Sequence, residues 1–345
     1  MSVLMQAFVM TGYGGPEKTE LRDMVRPVPG QCEVLVKVHA AGLNPVDWKT
    51  REGKLRAVQG YGMPQIMGNE LAGEVVALGR EASKFALGDR VMARVPKDRM
   101  GAFAEYAAVP EGDCALLPLS LDYAAAAGIP LAGLTALQAL RDELQLGPDR
   151  RVLITAGAGG VGSFAIPIAK WLGAHVTTTA SPRGRELVER LGADHVIDYT
   201  AEKFEDVIEP VDAAFDLVGG DTLSRTFGSV KTGGKVVSIA GMPEPRTATQ
   251  DLDRGFPMTA LFWIASFKYR MQARMAGVEY RFLLMHPDGE GLSKLGSLVE
   301  DGTLSPVIDR TYPFGKIADA MAYLEEGHAK GKVVVTMTDK AASAG

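Results

Sequence analysis

The spacing of hydrophobic and polar residues changes character twice along this chain. Residues 33–40 alternate polar and apolar side chains, the period-two pattern of a half-buried strand. Residues 71–79, 88–94 and 103–109 predict further strands, separated by frequent glycines and prolines. The first third is therefore expected to be β-rich. The rhythm shifts near Asp122, which precedes Tyr123 and four alanines as a helix cap would. A helix is predicted over 133–144. Beyond it, short apolar runs at 151–155, 174–179, 194–197, 213–218 and 235–240 predict buried strands, with helices between most of them. Such alternation predicts an α/β fold built on a parallel, doubly wound sheet. After Gly302 the chain returns to short strands around one helix, at 307–312, 317–326 and 333–337. The small, polar tail after Thr338 is expected to fray.

The turn Thr155-Ala156-Gly157-Ala158-Gly159-Gly160-Val161-Gly162 joins an apolar strand to a helical stretch at 163–172. Gly157, Gly159 and Gly162 fit G-x-G-x-x-G in the strand–turn–helix setting that a dinucleotide site requires. On this pattern Gly157 permits the tight turn, Gly159 lets the backbone approach a pyrophosphate, and Gly162 lets helix and strand pack closely. The helix start around Gly160 and Val161 offers free N–H groups and partial positive charge to the phosphates. The next strand runs into Ala180-Ser181-Pro182-Arg183-Gly184-Arg185, with no acid at its tip to hold a ribose 2′-hydroxyl. Ser181 can donate to a phosphate there, and Arg183 or Arg185 can pair with its charge, so the expected cofactor is NADPH. The arginines also read as solvated charges at a helix start, although cations there oppose the helix dipole unless an anion is near.

Bulk properties narrow the class. A chain of 345 residues has room for about two domains. With 46% hydrophobic and 23% charged residues it is expected to be globular. A net charge of -5 without a basic tract argues against nucleic acid as a partner. Cys32 and Cys114 lack metal-like spacing and fit a reducing cytoplasm. The first eleven residues carry no signal-peptide pattern, and the apolar run at 256–267 is too short to span a bilayer.

Further landmarks stand in order. They are Ala41-Gly42-Leu43-Asn44-Pro45-Val46-Asp47, Gly68-Asn69-Glu70-Leu71-Ala72-Gly73 and Leu87-Gly88-Asp89-Arg90-Val91. Leu191-Gly192-Ala193-Asp194-His195-Val196-Ile197-Asp198-Tyr199 and Gly327-His328-Ala329-Lys330-Gly331-Lys332-Val333-Val334 follow. With the glycine turn, they make nearly the whole chain resemble the zinc-independent quinone oxidoreductase and 2-alkenal reductase branch of the medium-chain dehydrogenase/reductases. The resemblance implies a GroES-like catalytic domain at 1–127, completed by 305–345, and a Rossmann NADP-binding domain at 128–304. It places the active site in the cleft between them and implies a homodimer joined through Rossmann edge strands. Zinc dehydrogenases of the superfamily carry Cys, His, and Cys or Asp where this chain has Asn44, Asn69 and Ala132. Amides and a methyl group are poor zinc ligands, so no metal is expected.

Without a Lewis acid the hydride acceptor must already be electrophilic, which points to quinones and α,β-unsaturated carbonyls. Charge then develops on a carbonyl oxygen, which needs a donor aimed at it. By resemblance Asn44 lies beside the nicotinamide as an amide donor, although Asn before Pro45 also reads as a turn former. Lys49 is either a cation that steadies an enolate or a solvated lysine. Tyr61 is either a proton donor in a glycine-flanked loop or a packing tyrosine. The resemblance brings the Thr135 hydroxyl to the nicotinamide and Tyr199 to the adenosine side. Val218 and Ala240, near strand ends, are assigned to the cofactor cleft. Lys332 either reaches the cofactor or merely begins the closing strand. Phe262 and Trp263 either line a lipophilic substrate pocket or pack a core or an interface. Two other readings stay open. One is an enoyl-thioester reductase, with Lys268, Arg270, Arg274 and Arg281 as a basic patch for a phosphopantetheine arm. The other is a non-catalytic NADPH-binding redox sensor.

Overall fold

The computed structural model describes residues 3–337, so the expected fraying after Thr338 lies outside the described residues. The chain forms two compact units, one of Thr135–His286 and one of Met1–Leu134 with Pro287–Gly345.

The unit Thr135–His286 is built on six parallel strands: β1 (Arg151–Ile154), β2 (His175–Ala180), β3 (His195–Asp198), β4 (Val211–Asp216), β5 (Val230–Ser238) and β6 (Glu279–Phe282). Their order across the sheet is β3-β2-β1-β4-β5-β6, all parallel. The order reverses between β1 and β4, the switch point at which doubly wound sheets bind ligands beyond their carboxyl ends. Val152, Leu153 and Ile154 of β1 are buried on both faces, as a central parallel strand requires. β5 begins five residues earlier than its apolar run, because Val230 already pairs with Val211 before a register shift that carries the exposed Lys231-Thr232-Gly233 to the next pair, Lys235 with Ala213. β6 has no counterpart in the sequence reading. Its four residues include Arg281, 2% exposed, which bonds Glu143, Glu244 and Asp251 and so becomes tolerable inside.

The other unit holds a seven-stranded sheet in which Glu33–Leu43 is central. That strand pairs with Glu70–Leu78, Tyr106–Pro110 and Lys332–Thr336, all antiparallel. Register shifts at Leu35/Val36 and Val38/Ala40 bend it between partners. Val34, Val36, Val38, Leu71, Val91, Val333 and Val335 form its core. Leu4–Met10 and Thr19–Val25 add a hairpin that the sequence reading did not contain. The division falls at 134/135 and 286/287, against the expected 127/128 and 304/305. One reason is the amphipathic helix Gly289–Glu300, whose Gly289 fits against the Gly112 and Cys114 carbonyls and therefore belongs with the β-rich unit.

Candidate active site

In the unit Thr135–His286 the glycine turn lies at the carboxyl end of β1 and leads into the helix Gly162–Trp171. A Cβ on Gly157 would meet Ile166 Cδ1 at 2.9 Å and the Thr178 hydroxyl, and one on Gly162 would meet Gly157 Cα at 2.7 Å. Both positions are glycine because strand, turn and helix touch there. The left-handed residue of the turn is Ala156, φ 52°, so the tight bend expected of Gly157 belongs to its neighbour. Gly159 differs: the nearest atom to its Cβ would be Ala156 O at 3.3 Å. Within the unit little else demands glycine at 159, which fits close approach by a ligand. The N–H groups of Gly160 and Val161 make no hydrogen bond among the described residues.

Ser181 precedes the helix Pro182–Arg190, and its hydroxyl makes no capping bond. Arg183 lies exposed on the first turn. Arg185 is turned away, its guanidinium donating to Val196 O at 3.2 Å and to Glu189 Oε1 at 3.4 Å. Tyr199 is exposed, and its N–H bonds Ala180 O at 3.4 Å, which holds it beside the end of β2. Val218 is exposed. The following Gly219, φ 77°, lies against Ala240, whose carbonyl carbon would be 2.8 Å from an added Cβ. Thr135 is buried in the helix Pro130–Leu137.

Three residues missed in the sequence tie these strand ends together. Asp216 accepts from Ser238 Oγ at 2.6 Å, from Gly219 N at 3.0 Å and from Thr155 Oγ1 at 3.4 Å. Burial pushes its carboxyl pKa up, and these hydrogen bonds oppose the shift. The signal was a polar side chain closing each of three apolar strands. Together the open approach at Gly159, the unbonded N–H groups and the Ser181/Arg183 pair fit NADPH.

The other unit holds a buried polar network. Asn44 precedes the short helix Pro45–Arg51, and its backbone N–H donates to Asp47 Oδ2 at 2.7 Å. Its Nδ2 donates to Glu70 Oε1 at 2.7 Å, and its Oδ1 accepts from Lys332 Nζ. Lys332 and Glu70, 3% and 0% exposed, form an ion pair of 2.7 Å. Lys332 also donates to Leu43 O at 3.1 Å, and Leu131 N–H donates to Glu70 Oε2 at 2.6 Å. Asn69 Nδ2 donates to Asp47 Oδ1 at 2.6 Å. Gly42 admits the Glu70 side chain, since a Cβ there would meet Glu70 Cδ at 2.8 Å. Burial is the main cause that raises Asp47 to about 6. Arg94, opposite Glu70 in register, is buried; its Nη1 donates to Asn69 O and Val95 O, and its Nε has no partner among the described residues. The signal for Glu70 and Arg94 was charge embedded in apolar strands.

Asn44 and Lys332 are thus brought together, but not as expected. All three N–H bonds of Lys332 have acceptors within the unit, which leaves none for a cofactor. Lys49 is half-buried beside Trp48, and burial and then Lys54 lower its ammonium pKa. The Tyr61 hydroxyl donates to Lys97 O at 2.5 Å, and burial raises its pKa to about 12. That proton is engaged by a carbonyl, contrary to a free donor role. Phe262, 4% exposed, is turned into the interior by the helix Phe256–Ala265, whereas Trp263, about 100° round the helix, is 49% exposed. Arg281 leaves the basic patch for the interior.

Zinc does not fit this donor set. The Asn44 amide oxygen and Glu70 Oε1 already face the Lys332 ammonium, and the remaining landmarks are Asn69 and the buried Ala132.

Residues 30–119 match the family described as alcohol dehydrogenase GroES-like domain, and residues 191–335 the family described as zinc-binding dehydrogenase. The chain is 38% identical to the NADPH-dependent alkenal/one oxidoreductase, chloroplastic, of Arabidopsis thaliana, covering 96% of this chain and 79% of that one. It is 34% identical to the chloroplast envelope quinone oxidoreductase homolog of the same plant, covering 96% and 98%. The solved quinone oxidoreductase from Coxiella burnetii superposes with a TM-score of 0.84 at 33% identity, covering 97% and 100%.

Proposed function

We propose, because this chain belongs to the zinc-independent quinone oxidoreductase and 2-alkenal reductase branch of the medium-chain dehydrogenase/reductases, that it reduces quinones and α,β-unsaturated carbonyls with NADPH. The observation that carries this reading is the Asn44–Glu70–Lys332 cluster, an ammonium and an amide in place of a metal donor set. Such a site polarises a carbonyl only by hydrogen bonding, so it suits acceptors that are electrophilic on their own.

When bound, NADPH supplies the hydride. Gly159 and the N–H groups of Gly160 and Val161 receive the pyrophosphate. Ser181 and Arg183 receive the 2′-phosphate, and Tyr199 lies against the adenosine. Val218 and Ala240 border the cofactor at the switch point, and Thr135 serves its nicotinamide end. Asn44 holds the substrate's carbonyl oxygen with its second Nδ2–H, which has no partner among the described residues. Negative charge gathers on that oxygen as hydride adds to the β-carbon, and the amide stabilises it there. Lys49 steadies the enolate until its α-carbon takes a proton from solvent water, which leaves as hydroxide.

The test is NADPH and NADH oxidation with phenanthrenequinone, benzoquinone, a 2-alkenal, an enone and an enoyl thioester, with and without chelator. Chelator-insensitive NADPH oxidation by quinones or enones is the expected result. Turnover of the thioester alone would move the chain to the enoyl reductases. Tight NADPH binding without any turnover would make it a sensor.

The reading extends to a homodimer joined at a sheet edge, for which the outermost strands β3 and β6 are available, and to a reducing cytoplasm, which suits the two free cysteines. No helix among the described residues is long and apolar enough to cross a membrane. Light scattering that returns a monomer mass would remove the dimer.

A further inference from the structure

We infer that Lys332 and Glu70 are positioning residues that lock the Asn44 amide in the one orientation able to hold a substrate's carbonyl oxygen; this rests on the function proposed above. An amide has two nearly isosteric ends of opposite character, and its orientation follows from what faces each end. Here the oxygen end faces the Lys332 ammonium, and the nitrogen end donates to Glu70 Oε1 at 2.7 Å. Reversing the amide would set its N–H groups against the ammonium and its oxygen against the carboxylate. Both contacts would be repulsive, and both charges are buried, so water screens them little.

The two charges are themselves fixed. Glu70 accepts from Leu131 N–H at 2.6 Å, and Lys332 donates to Leu43 O at 3.1 Å. Lys332 reaches Asn44 because Lys332–Thr336 pairs antiparallel with Glu33–Leu43, with Val333 opposite Leu43. The Asn44 backbone is held by Asp47 at 2.7 Å. With both amide ends and the backbone held, only the second Nδ2–H remains unpaired among the described residues. The ammonium behind the oxygen also polarises the amide and strengthens that N–H as a donor.

The test is a double-mutant cycle with Lys332→Met and Asn44→Ala, scored by kcat on an enone, by NADPH dissociation constant from fluorescence and by Tm. Lys332→Met should lower kcat about tenfold in the wild-type background and less than about twofold once Asn44 is alanine. NADPH affinity should stay within about twofold throughout. Losses that simply multiply would overturn the inference. So would a weakening of NADPH binding by about tenfold or more, which would make Lys332 a cofactor ligand.

If Lys332→Met fails to fold around an unpaired Glu70, the Lys332→Met/Glu70→Gln variant removes both charges. Its Tm should recover while kcat stays low, because neutral neighbours no longer fix the amide. Recovery of kcat together with Tm would make the pair merely structural and end the inference. Silence of the wild-type enzyme toward every quinone and enone is a different failure, and it would fall on the proposed function.

Discussion

Asp47 shows how one buried carboxyl can make stability and activity respond oppositely to pH. It accepts from Asn44 N–H and Asn69 Nδ2, and burial lifts its pKa from 3.8 to about 6. Because the folded pKa is the higher one, its contribution to stability is full below about 3.8 and is lost as pH rises through about 6. Activity should move the other way, since a proton on either oxygen would face an N–H donor and disturb Asn44. We predict an acidic limb near pH 6 in the kcat profile. In Asp47→Asn, which carries an N–H at that place permanently, activity should be low and flat over the same range. An unchanged limb in that variant would assign the titration elsewhere. At the cofactor end, Arg183→Ala should raise the KM for NADPH by about tenfold or more and leave that for NADH unchanged. Arg185→Ala should do much less, because its guanidinium already serves Val196 and Glu189. Equal effects would restore Arg185 to the site. Asn44 and both arginines were legible as types in a motif. Their partners were not, because Glu70 and Lys332 reach Asn44 only through strand pairing across long stretches of chain.

The glycine turn was legible as an element, although the labour among its glycines was not. Gly162→Ala should lower Tm, since its Cβ would press on Gly157. Gly159→Ala should keep Tm and weaken NADPH binding, and a Tm loss as large as that of Gly162→Ala would show that 159 is also a packing position. The strand Glu279–Phe282 was invisible for the opposite reason. Nothing in four residues with a central arginine announces a strand until three carboxylates from elsewhere surround Arg281. Removing that guanidinium takes the cation from buried Glu244 and half-buried Asp251, while Glu143 keeps Lys235 at 2.9 Å, so Arg281→Met should cost about 3 kcal/mol, measured by denaturant unfolding. A cost under about 1 kcal/mol would mean that the network is solvated. The helix Phe256–Ala265 lies in the apolar run at 256–267, where Phe262 and Trp263 read equally as pocket or packing residues. As a helix it turns Phe262 inward and leaves Trp263 beneath Arg270, 5.5 Å from its ring. Phe262→Ala should therefore reduce stability, whereas any effect on long-chain over short-chain enones should come from Trp263→Ala.

At the scale of the whole molecule, the alternation of strand and helix and the landmarks in their order determined the fold class, the branch of the family and the cofactor. These are local signals: periodicity, a glycine turn, a missing acid at a strand tip, amides where thiolate and imidazole would stand. Each is a property of neighbouring residues, and neighbours in sequence remain neighbours in the fold. Tertiary structure alone decided which residues act together. It brought Lys332 from the last described strand to Glu70 and Asn44, and it drew Thr155, Asp216 and Ser238 from three strands into one hydrogen-bonded set. It took the protons of Lys332 and Tyr61 away from the roles their types invited, because a buried donor bonds whatever acceptor the fold sets beside it. It moved the unit boundaries as well, since a helix belongs where its apolar face is covered. Burial and long-range pairing are sums over distant parts of the chain, and no local pattern carries them.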